Sequence, residues 1–273
     1  MTNLPASPFA LLHSRCRAVM AALIVVAAWA PSSEAAAPTG VPGSCQAVSA
    51  PQRATVVELY TSEGCDSCPP ADRWLSTLKG RPDVLAAAFH VDYWDRLGWK
   101  DRFADPRHTA RQAESQRHSG ARFSYTPQVL VQGRDWKQWP SLPDSGRAVD
   151  HSAVVQIELE RDGAAPGQSK IQSQVRVRVL PLAGAPATLA LWWAVLEDGH
   201  VSAVKAGENA GAQLRHDHVV RAQGQRAPWR SADTSAWVVD APAVGEGGRR
   251  SRLLVVVTDA ASGASLQAVQ LAC

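Results

Sequence analysis

The sequence contains no long run of basic residues and no stripe of alternating basic and aromatic side chains. Its 28 Lys and Arg residues are interspersed with 25 Asp and Glu residues, which leaves a formal net charge of +3. Surfaces that bind nucleic acid concentrate positive charge on one face. The composition therefore argues against a nucleic-acid partner. A glycine-rich phosphate-binding loop is also absent, so we expect no organic cofactor.

Long apolar runs are absent beyond the N-terminal region. There, His13, Arg15 and Arg17 precede the apolar residues 18–30, and small residues follow at 35–37. This order is typical of a secretory signal, and 13 apolar residues are fewer than the roughly 20 that span a bilayer. We predict a signal peptide over residues 1–37 and no membrane span after its cleavage, with an uncleaved anchor as the alternative. The protein is then periplasmic or secreted.

Cysteines are few, and export changes what they can do. Cys16 would leave with the signal, whereas Cys45, Cys65, Cys68 and Cys273 would remain. Oxidising compartments allow disulfides to persist, and four cysteines permit three pairings. Cys45 and Cys273 lie near the two ends of the exported chain. We predict that they form a structural disulfide and leave Cys65 and Cys68 free to cycle; the alternative is a free thiol at each end.

The first half of the exported chain has an α/β pattern. Residues 38–52 are rich in Pro, Gly, Ser and Ala and are predicted to be a linker. Apolar segments predict strands, and segments with helical spacing or a terminal glycine predict helices. In chain order these are strand 54–60, helix 71–80, strand 83–94, helix 105–120 and strand 125–133. The alternation predicts a parallel α/β unit over residues 53–150.

The second half has a different pattern. Short strand candidates are separated by Gly, Pro and Asp turns. In residues 171–179, apolar or small residues alternate with Gln and Arg, which predicts a sheet with one solvent-exposed face. We predict an antiparallel β-sandwich-like C-terminal domain over residues 151–273.

The motif Cys65-Asp66-Ser67-Cys68 follows a predicted strand and begins a predicted helix. A helix N-terminus favours a thiolate, and the second cysteine is close enough to close a disulfide. Zinc sites use the same spacing but usually need a second ligand pair, which is absent, so we predict no zinc site. Three hypotheses remain: a redox dithiol, copper(I) binding by Cys65, Cys68 and a histidine such as His90, or a structural disulfide in a non-catalytic binding module.

Several segments resemble one family. The stretches VVELYTSEGCDSCPPAD, FHVDYWDRLGWKDRF and YTPQVLVQG are similar to the domain-of-unknown-function 1223 family of bacterial exported proteins, and the later GENAGAQLRHDHVVR fits the same family. The resemblance implies an α/β thioredoxin-like N-terminal domain followed by a β-rich domain. It does not supply a reaction.

The thioredoxin-like resemblance also implies roles for particular residues. A cis peptide bond between Thr126 and Pro127 would face the dithiol and hold the partner strand, whereas an ordinary trans proline would open an edge strand. Glu58 would be a buried carboxylate that relays a proton for Cys68. Alternatively, Glu58 would lie on a solvent-exposed strand face or form a hydrogen bond in the core.

Aromatic and histidine residues supply further candidates. Because parallel strands end on the same side of a sheet, Asp92, Tyr93 and Trp94 are expected near the cysteine loop, where they would line a partner groove. His90 fits a satisfied core histidine better. His216 and His218 form a His-x-His, for which polar strand positions are favoured over metal binding.

The leading hypothesis is an exported thiol–disulfide oxidoreductase. Cys65 would be the exposed nucleophile and Cys68 would resolve the mixed disulfide. The expected partners are protein thiols or disulfides.

Overall fold

The computed structural model describes residues 45–143, 152–161, 174–233, 235–241 and 245–273. The predicted signal peptide and residues 38–44 of the predicted linker lie outside these ranges. The described residues form two α-helices, α1 (Pro69–Ser76) and α2 (Pro106–Ser119). They also form the strands β1 (Cys45–Val48), β2 (Thr55–Thr61), β3 (Val84–His90), β4 (Gln128–Val131), β5 (Arg134–Asp135), β6 (Val155–Arg161), β7 (Gln174–Pro181), β8 (Thr188–Glu197), β9 (His200–Ala203), β10 (Gln213–His216), β11 (Val219–Arg230), β12 (Ser235–Asp240), β13 (Ser251–Asp259) and β14 (Ser265–Ala272).

Most strands of the described ranges belong to two sheets. The larger sheet has eight strands in the order β14-β13-β8-β11-β3-β2-β4-β5, and the smaller has four in the order β1-β6-β7-β12. β9 and β10 form a separate antiparallel pair. In the larger sheet β3 is parallel to both β2 and β11, and β4 is antiparallel to β2. The parallel part is therefore confined to three adjacent strands.

The expectation of an α/β thioredoxin-like N-terminal domain is wrong. The described residues are 47% strand and 13% helix, with only 2 α-helices. β11, from the second half of the chain, pairs with β3. This pairing continues the N-terminal strands into β8, β13 and β14 instead of leaving them in a sheet of their own. The sequence pattern identified the strands but could not show this long-range pairing.

The larger sheet buries apolar side chains on both faces. Along β8, Leu189 and Leu191 belong to a cluster shared with the four-stranded sheet, whereas Trp192 and Ala194 belong to a cluster shared with β2 and β3. The four-stranded sheet has one buried face, since β7 alternates exposed and buried residues. The alternation predicted for this segment is confirmed. Its antiparallel pairing with β6 and β12 also follows the prediction.

The two helices occupy the predicted segments. α1 begins with Pro69 and Pro70, whose fixed backbone angles suit the first helical turn. Its Ala71, Trp74 and Leu75 pack in a cluster with alternate residues of β2 and β3. α2 is capped by Asp105, whose carboxylate accepts a hydrogen bond from the backbone N–H of Arg107 at 2.8 Å. Among the described residues, neither helix is long and apolar enough to cross a membrane.

A disulfide joins the two ends of the described chain. Cys45 lies in β1 of the smaller sheet and Cys273 follows β14 of the larger one. Their Cα atoms are 6.0 Å apart and 228 residues separate them in sequence. The bond is the pairing expected from the sequence, and it links the edges of the two sheets.

Candidate functional site

Cys65 and Cys68 lie in the loop that connects β2 to α1. Cys68 is the N-cap of α1, and its backbone carbonyl accepts a hydrogen bond from Ala71 at 2.9 Å. The two cysteines form a disulfide with Cα atoms 5.5 Å apart. The hydroxyl of Ser67 lies 3.4 Å from Cys65 Sγ. The sequence therefore places a closed disulfide at the positive end of a helix.

The disulfide is covered. Cys65 and Cys68 are each 0% exposed, which differs from the expected exposed nucleophile. Residues 207–209, here called the covering segment, are hydrogen-bonded across the loop. The side-chain amide of Asn209 donates to the carbonyl oxygens of Glu63 and Cys65, both at 2.9 Å. The backbone N–H of Asp66 donates to the carboxylate of Glu208 at 3.2 Å.

Trp94 packs against the loop at Gly64. A Cβ at Gly64 would lie 3.1 Å from Trp94 Cβ, a tight contact that glycine avoids. Trp94 Nε1 donates a hydrogen bond to Thr126 Oγ1 at 2.7 Å. The Thr126–Pro127 peptide bond is cis, as predicted. The structure thus brings Trp94 and Thr126 together beside the cysteine loop.

Asp92 and Tyr93 face α2. β3 ends at His90, so residues 92–94 form a turn and not the end of the predicted strand. Asp92 Oδ1 accepts a hydrogen bond from Thr109 at 2.5 Å, and the Tyr93 hydroxyl donates to Gln112 at 3.3 Å. Both side chains are half-buried. These contacts hold the turn against α2, whereas Trp94 approaches Gly64 of the cysteine loop.

The structure does not place Glu58 where a proton relay for Cys68 requires it. Along β2, Val57 and Leu59 face the α1 side, so Glu58 points to the opposite face. Its Oε2 accepts a hydrogen bond from Arg111 at 2.7 Å. The sequence-based role is therefore corrected to a buried ion pair. The error arises because successive side chains of a strand point to opposite faces of the sheet. A shift of one residue along β2 therefore decides whether a side chain faces α1 or points away from it.

A second polar cluster lies beside the cysteine loop. His216 Nε2 is 3.3 Å from Glu63 Oε1, and His216 Nδ1 is 3.7 Å from Asp72 Oδ1. His90 stacks edge-on to His216 with ring centroids 4.9 Å apart. His90 Nδ1 lies 2.6 Å from Asp101 Oδ2. We call these five residues the histidine–carboxylate cluster, and all five are buried.

Charges in the cluster depend on one another. Burial lowers the pKa of His216, but the carboxylates of Asp72 and Glu63 outweigh burial and raise this pKa to about 10. Burial raises the pKa of Glu63, but hydrogen bonds from His216, Ser202 and Trp99 together outweigh burial, so the pKa lies below its ordinary value. Burial likewise raises the pKa of Asp101, but His90 and the backbone N–H donors together outweigh burial. The pKa of Asp101 therefore also lies below its ordinary value. The cluster therefore favours the ionised forms of Glu63 and Asp101.

A family comparison matches most of the chain. The family described as "Protein of unknown function (DUF1223)" matches residues 56–258. The chain belongs to this family. The match includes the cysteine loop, the covering segment and every member of the histidine–carboxylate cluster. A comparison with curated proteins gives no match.

Solved structures of two other proteins are similar to the DUF1223 chain. The crystal structure of protein AGR_C_4864 from Agrobacterium tumefaciens is 25% identical, with a TM-score of 0.53 over 81% of this chain and 96% of that one. HBP35 of Porphyromonas gingivalis is 15% identical, with a TM-score of 0.54 over 82% of this chain and 76% of that one. The second likeness concerns the fold alone.

Sequence reasoning missed part of this DUF1223 site. Asp72 lies one helical turn after Cys68, and Asn209 lies within the stretch GENAGAQLRHDHVVR, yet neither position has a local signal of its own. The His-x-His at residues 216–218 is a possible metal-binding motif, although the sequence favours polar strand positions over metal binding. In the structure His216 ends β10, and His218 follows it with a positive φ of 58°. The two rings therefore do not share one strand face.

Proposed function

We propose that the protein is an exported thiol–disulfide oxidoreductase that exchanges disulfides with a protein partner through Cys65 and Cys68. The observation that carries the proposal is their disulfide at the start of α1. The separate bond between Cys45 and Cys273 leaves this pair free to open and close without a competing thiol. Export is inferred from the sequence of residues 1–37.

The exchange transfers two electrons from the partner's two thiols to the Cys65–Cys68 disulfide. A partner thiolate attacks Cys65 Sγ, the Cys65–Cys68 bond breaks, and Cys68 leaves as a thiolate that takes up a proton. A second partner thiolate then attacks the partner sulfur of the mixed disulfide and releases Cys65 as a thiolate. The partner's two thiols become a disulfide, and the pair Cys65 and Cys68 is reduced. The same steps in reverse reduce a partner disulfide.

Local opening must precede this reaction, because both sulfurs are buried. The covering segment is Gly207-Glu208-Asn209, which has no large apolar side chain, and it is held to the loop by hydrogen bonds of Asn209 and Glu208. Segments with few buried apolar contacts open at low free energy. Displacement of residues 207–209 would expose Cys65 to a partner strand held near Trp94 and Thr126.

A second candidate function is favoured by the same burial. A disulfide that is 0% exposed at both cysteines is typical of a structural bond. The protein would then be a non-catalytic binding module. The two candidates differ in the reduction potential of the Cys65–Cys68 bond.

A redox titration in glutathione buffers, followed by thiol alkylation and mass mapping, separates the two candidates. The proposed function expects reversible opening between about −270 and −120 mV, the span of exchange proteins. A bond that stays oxidised below about −300 mV behaves as a structural disulfide and overturns the proposal. The matched control replaces both Cys45 and Cys273 by serine, which should leave the potential of the other pair unchanged.

A further inference from the structure

The histidine–carboxylate cluster contains three groups suited to a metal ion. Asp72 on α1, His90 at the end of β3 and His216 at the end of β10 each offer one ligand atom, and these atoms lie within 4.8 Å of one another. Asp72 is 6% exposed, His90 is 0% exposed and His216 is 2% exposed. Three separate elements thus converge on one enclosed point.

The ligand nitrogens are buried without hydrogen-bond partners. Within the part of the chain that the structure describes, His90 Nε2 has none. The ring nitrogens of His216 also make no hydrogen bond, and they meet Glu63 Oε1 at 3.3 Å and Asp72 Oδ1 at 3.7 Å only as ion-pair contacts. Buried polar atoms are normally hydrogen-bonded, because leaving one unpaired in the interior costs free energy. A bound cation would take up the lone pair of His90 Nε2 and that of one ring nitrogen of His216.

Neighbouring residues hold the ligands in orientations suited to coordination. Asp101 accepts a hydrogen bond from His90 Nδ1, and Asp101 is itself held by the backbone N–H groups of Glu63 and Phe103, each at 2.9 Å. This arrangement assigns the proton to Nδ1 and leaves the lone pair of His90 on Nε2. Metal-binding histidines usually donate their other nitrogen to a carboxylate in this way.

Asp72 is oriented in the same manner. Its Oδ2 accepts a hydrogen bond from Thr61 Oγ1 at 2.9 Å, which leaves Oδ1 facing His216 Nδ1. These two atoms are 3.7 Å apart. Two ligands of a tetrahedral zinc ion stand about 3.4 Å apart, given bond lengths of about 2.0–2.1 Å. Small side-chain adjustments would bring the observed pair to that separation.

We propose that Asp72, His90 and His216 bind a divalent transition-metal ion of the zinc type. Two imidazoles and a carboxylate suit such ions. Asp72, Glu63 and Asp101 place three carboxyl groups around this buried point, and a divalent cation suits such a set of oxygen donors. Glu63 and Asp101 are positioning residues in this site.

A proton is the competing occupant. His216 as an imidazolium would lie between the carboxylates of Glu63 and Asp72 without a metal. This arrangement does not use the lone pair of His90 Nε2, whereas a metal ion does. The two occupants therefore differ in whether His90 contributes to binding.

The test is a calorimetric titration of metal-free purified protein with Zn²⁺ alone. The Cys65–Cys68 disulfide is kept closed, so that no thiolate competes for the ion. We expect one equivalent bound. Replacing a ligand, as in His90→Gln or Asp72→Asn, should weaken binding by at least about 100-fold, and the Glu63→Gln change of a positioning residue by about 10- to 100-fold. His218→Gln is the matched control and should bind within about twofold of the parent.

X-ray absorption of the zinc-loaded parent protein gives an independent result that does not depend on any variant folding. A first shell of nitrogen and oxygen supports the site, whereas sulfur ligands overturn it. Absence of a stoichiometric zinc ion, or unchanged binding in folded His90→Gln, also overturns it and favours the imidazolium. Because the protein stays oxidised throughout, failure here leaves the redox titration of Cys65 and Cys68 unaffected.

Discussion

Replacement of Asn209 by alanine should make the buried disulfide easier to reduce. The Asn209 amide donates two hydrogen bonds, to the carbonyl oxygens of Glu63 and Cys65, and both are 2.9 Å long. These bonds hold the covering segment on the cysteine loop. Alanine removes both donors without adding bulk. The closed arrangement therefore loses stability relative to the open one, while the sheets are untouched.

The two bonds set the size of the effect. A neutral hydrogen bond contributes about 0.5–1.5 kcal/mol net, so losing two shifts the opening equilibrium by about 1–3 kcal/mol. That shift corresponds to about a 5- to 150-fold larger open population. If opening and closing are fast compared with reduction, the observed rate follows this population. We expect reduction by dithiothreitol to accelerate by the same factor.

The assay follows loss of the Cys65–Cys68 bond under excess reductant, by alkylation and mass mapping at timed points. Gln213→Ala, an exposed change in the neighbouring β10, is the matched control and should leave the rate unchanged. Val177→Ala weakens the distant core of the four-stranded sheet and tests for global unfolding. A rate within twofold of the parent for Asn209→Ala would refute the reasoning. Equal acceleration by Val177→Ala would show that reduction requires global unfolding.

Two further changes test other parts of the structure. Replacing both Cys45 and Cys273 by serine should lower the free energy of unfolding by about 2–5 kcal/mol in a urea titration, because a disulfide restricts the unfolded chain; an unchanged midpoint would show that the bond between the sheets adds no stability. Glu58→Gln should lower the free energy of unfolding by about 3–5 kcal/mol, since the substitution leaves the mostly buried Arg111 guanidinium without its carboxylate. The same variant should keep the parent's pH profile for reduction of the Cys65–Cys68 bond, and an altered profile would restore Glu58 as a relay.

Local patterns predicted those features that depend on neighbouring residues. Asp105 and Gly120 bound a helix because one caps its first turn and the other adopts a left-handed conformation at its end. The alternation in β7 followed from one buried and one exposed face. The position of the cysteine motif at a strand-to-helix junction was also predicted, because apolar and helical spacings change within a few residues there.

Features that depend on distant pairing were not predictable in the same way. Whether Glu58 meets Cys68 or Arg111 depends on which helix covers each face of β2, and nothing near residue 58 specifies that choice. The pairing of β11 with β3 likewise joins segments more than a hundred residues apart. The edge of β3 carries apolar residues on both faces, and such an edge can pair with many apolar strands. Local sequence therefore does not specify which strand pairs with it.

The histidine–carboxylate cluster shows why a chemical site can escape a search for short motifs. His90 and His216, 126 residues apart in sequence, come within ring contact in a fold in which β10 also contacts α1. In sequence, each histidine has the surroundings of an ordinary core or strand residue. The contacts around the two histidines are what suggest a metal site. Asp101 orients the ring of His90, Glu63 faces the ring of His216, and Thr61 holds the carboxylate of Asp72. A single histidine at this depth would be a packing residue, whereas two with separate carboxylates, one of them with an unpartnered Nε2, form an arrangement that a cation would stabilise.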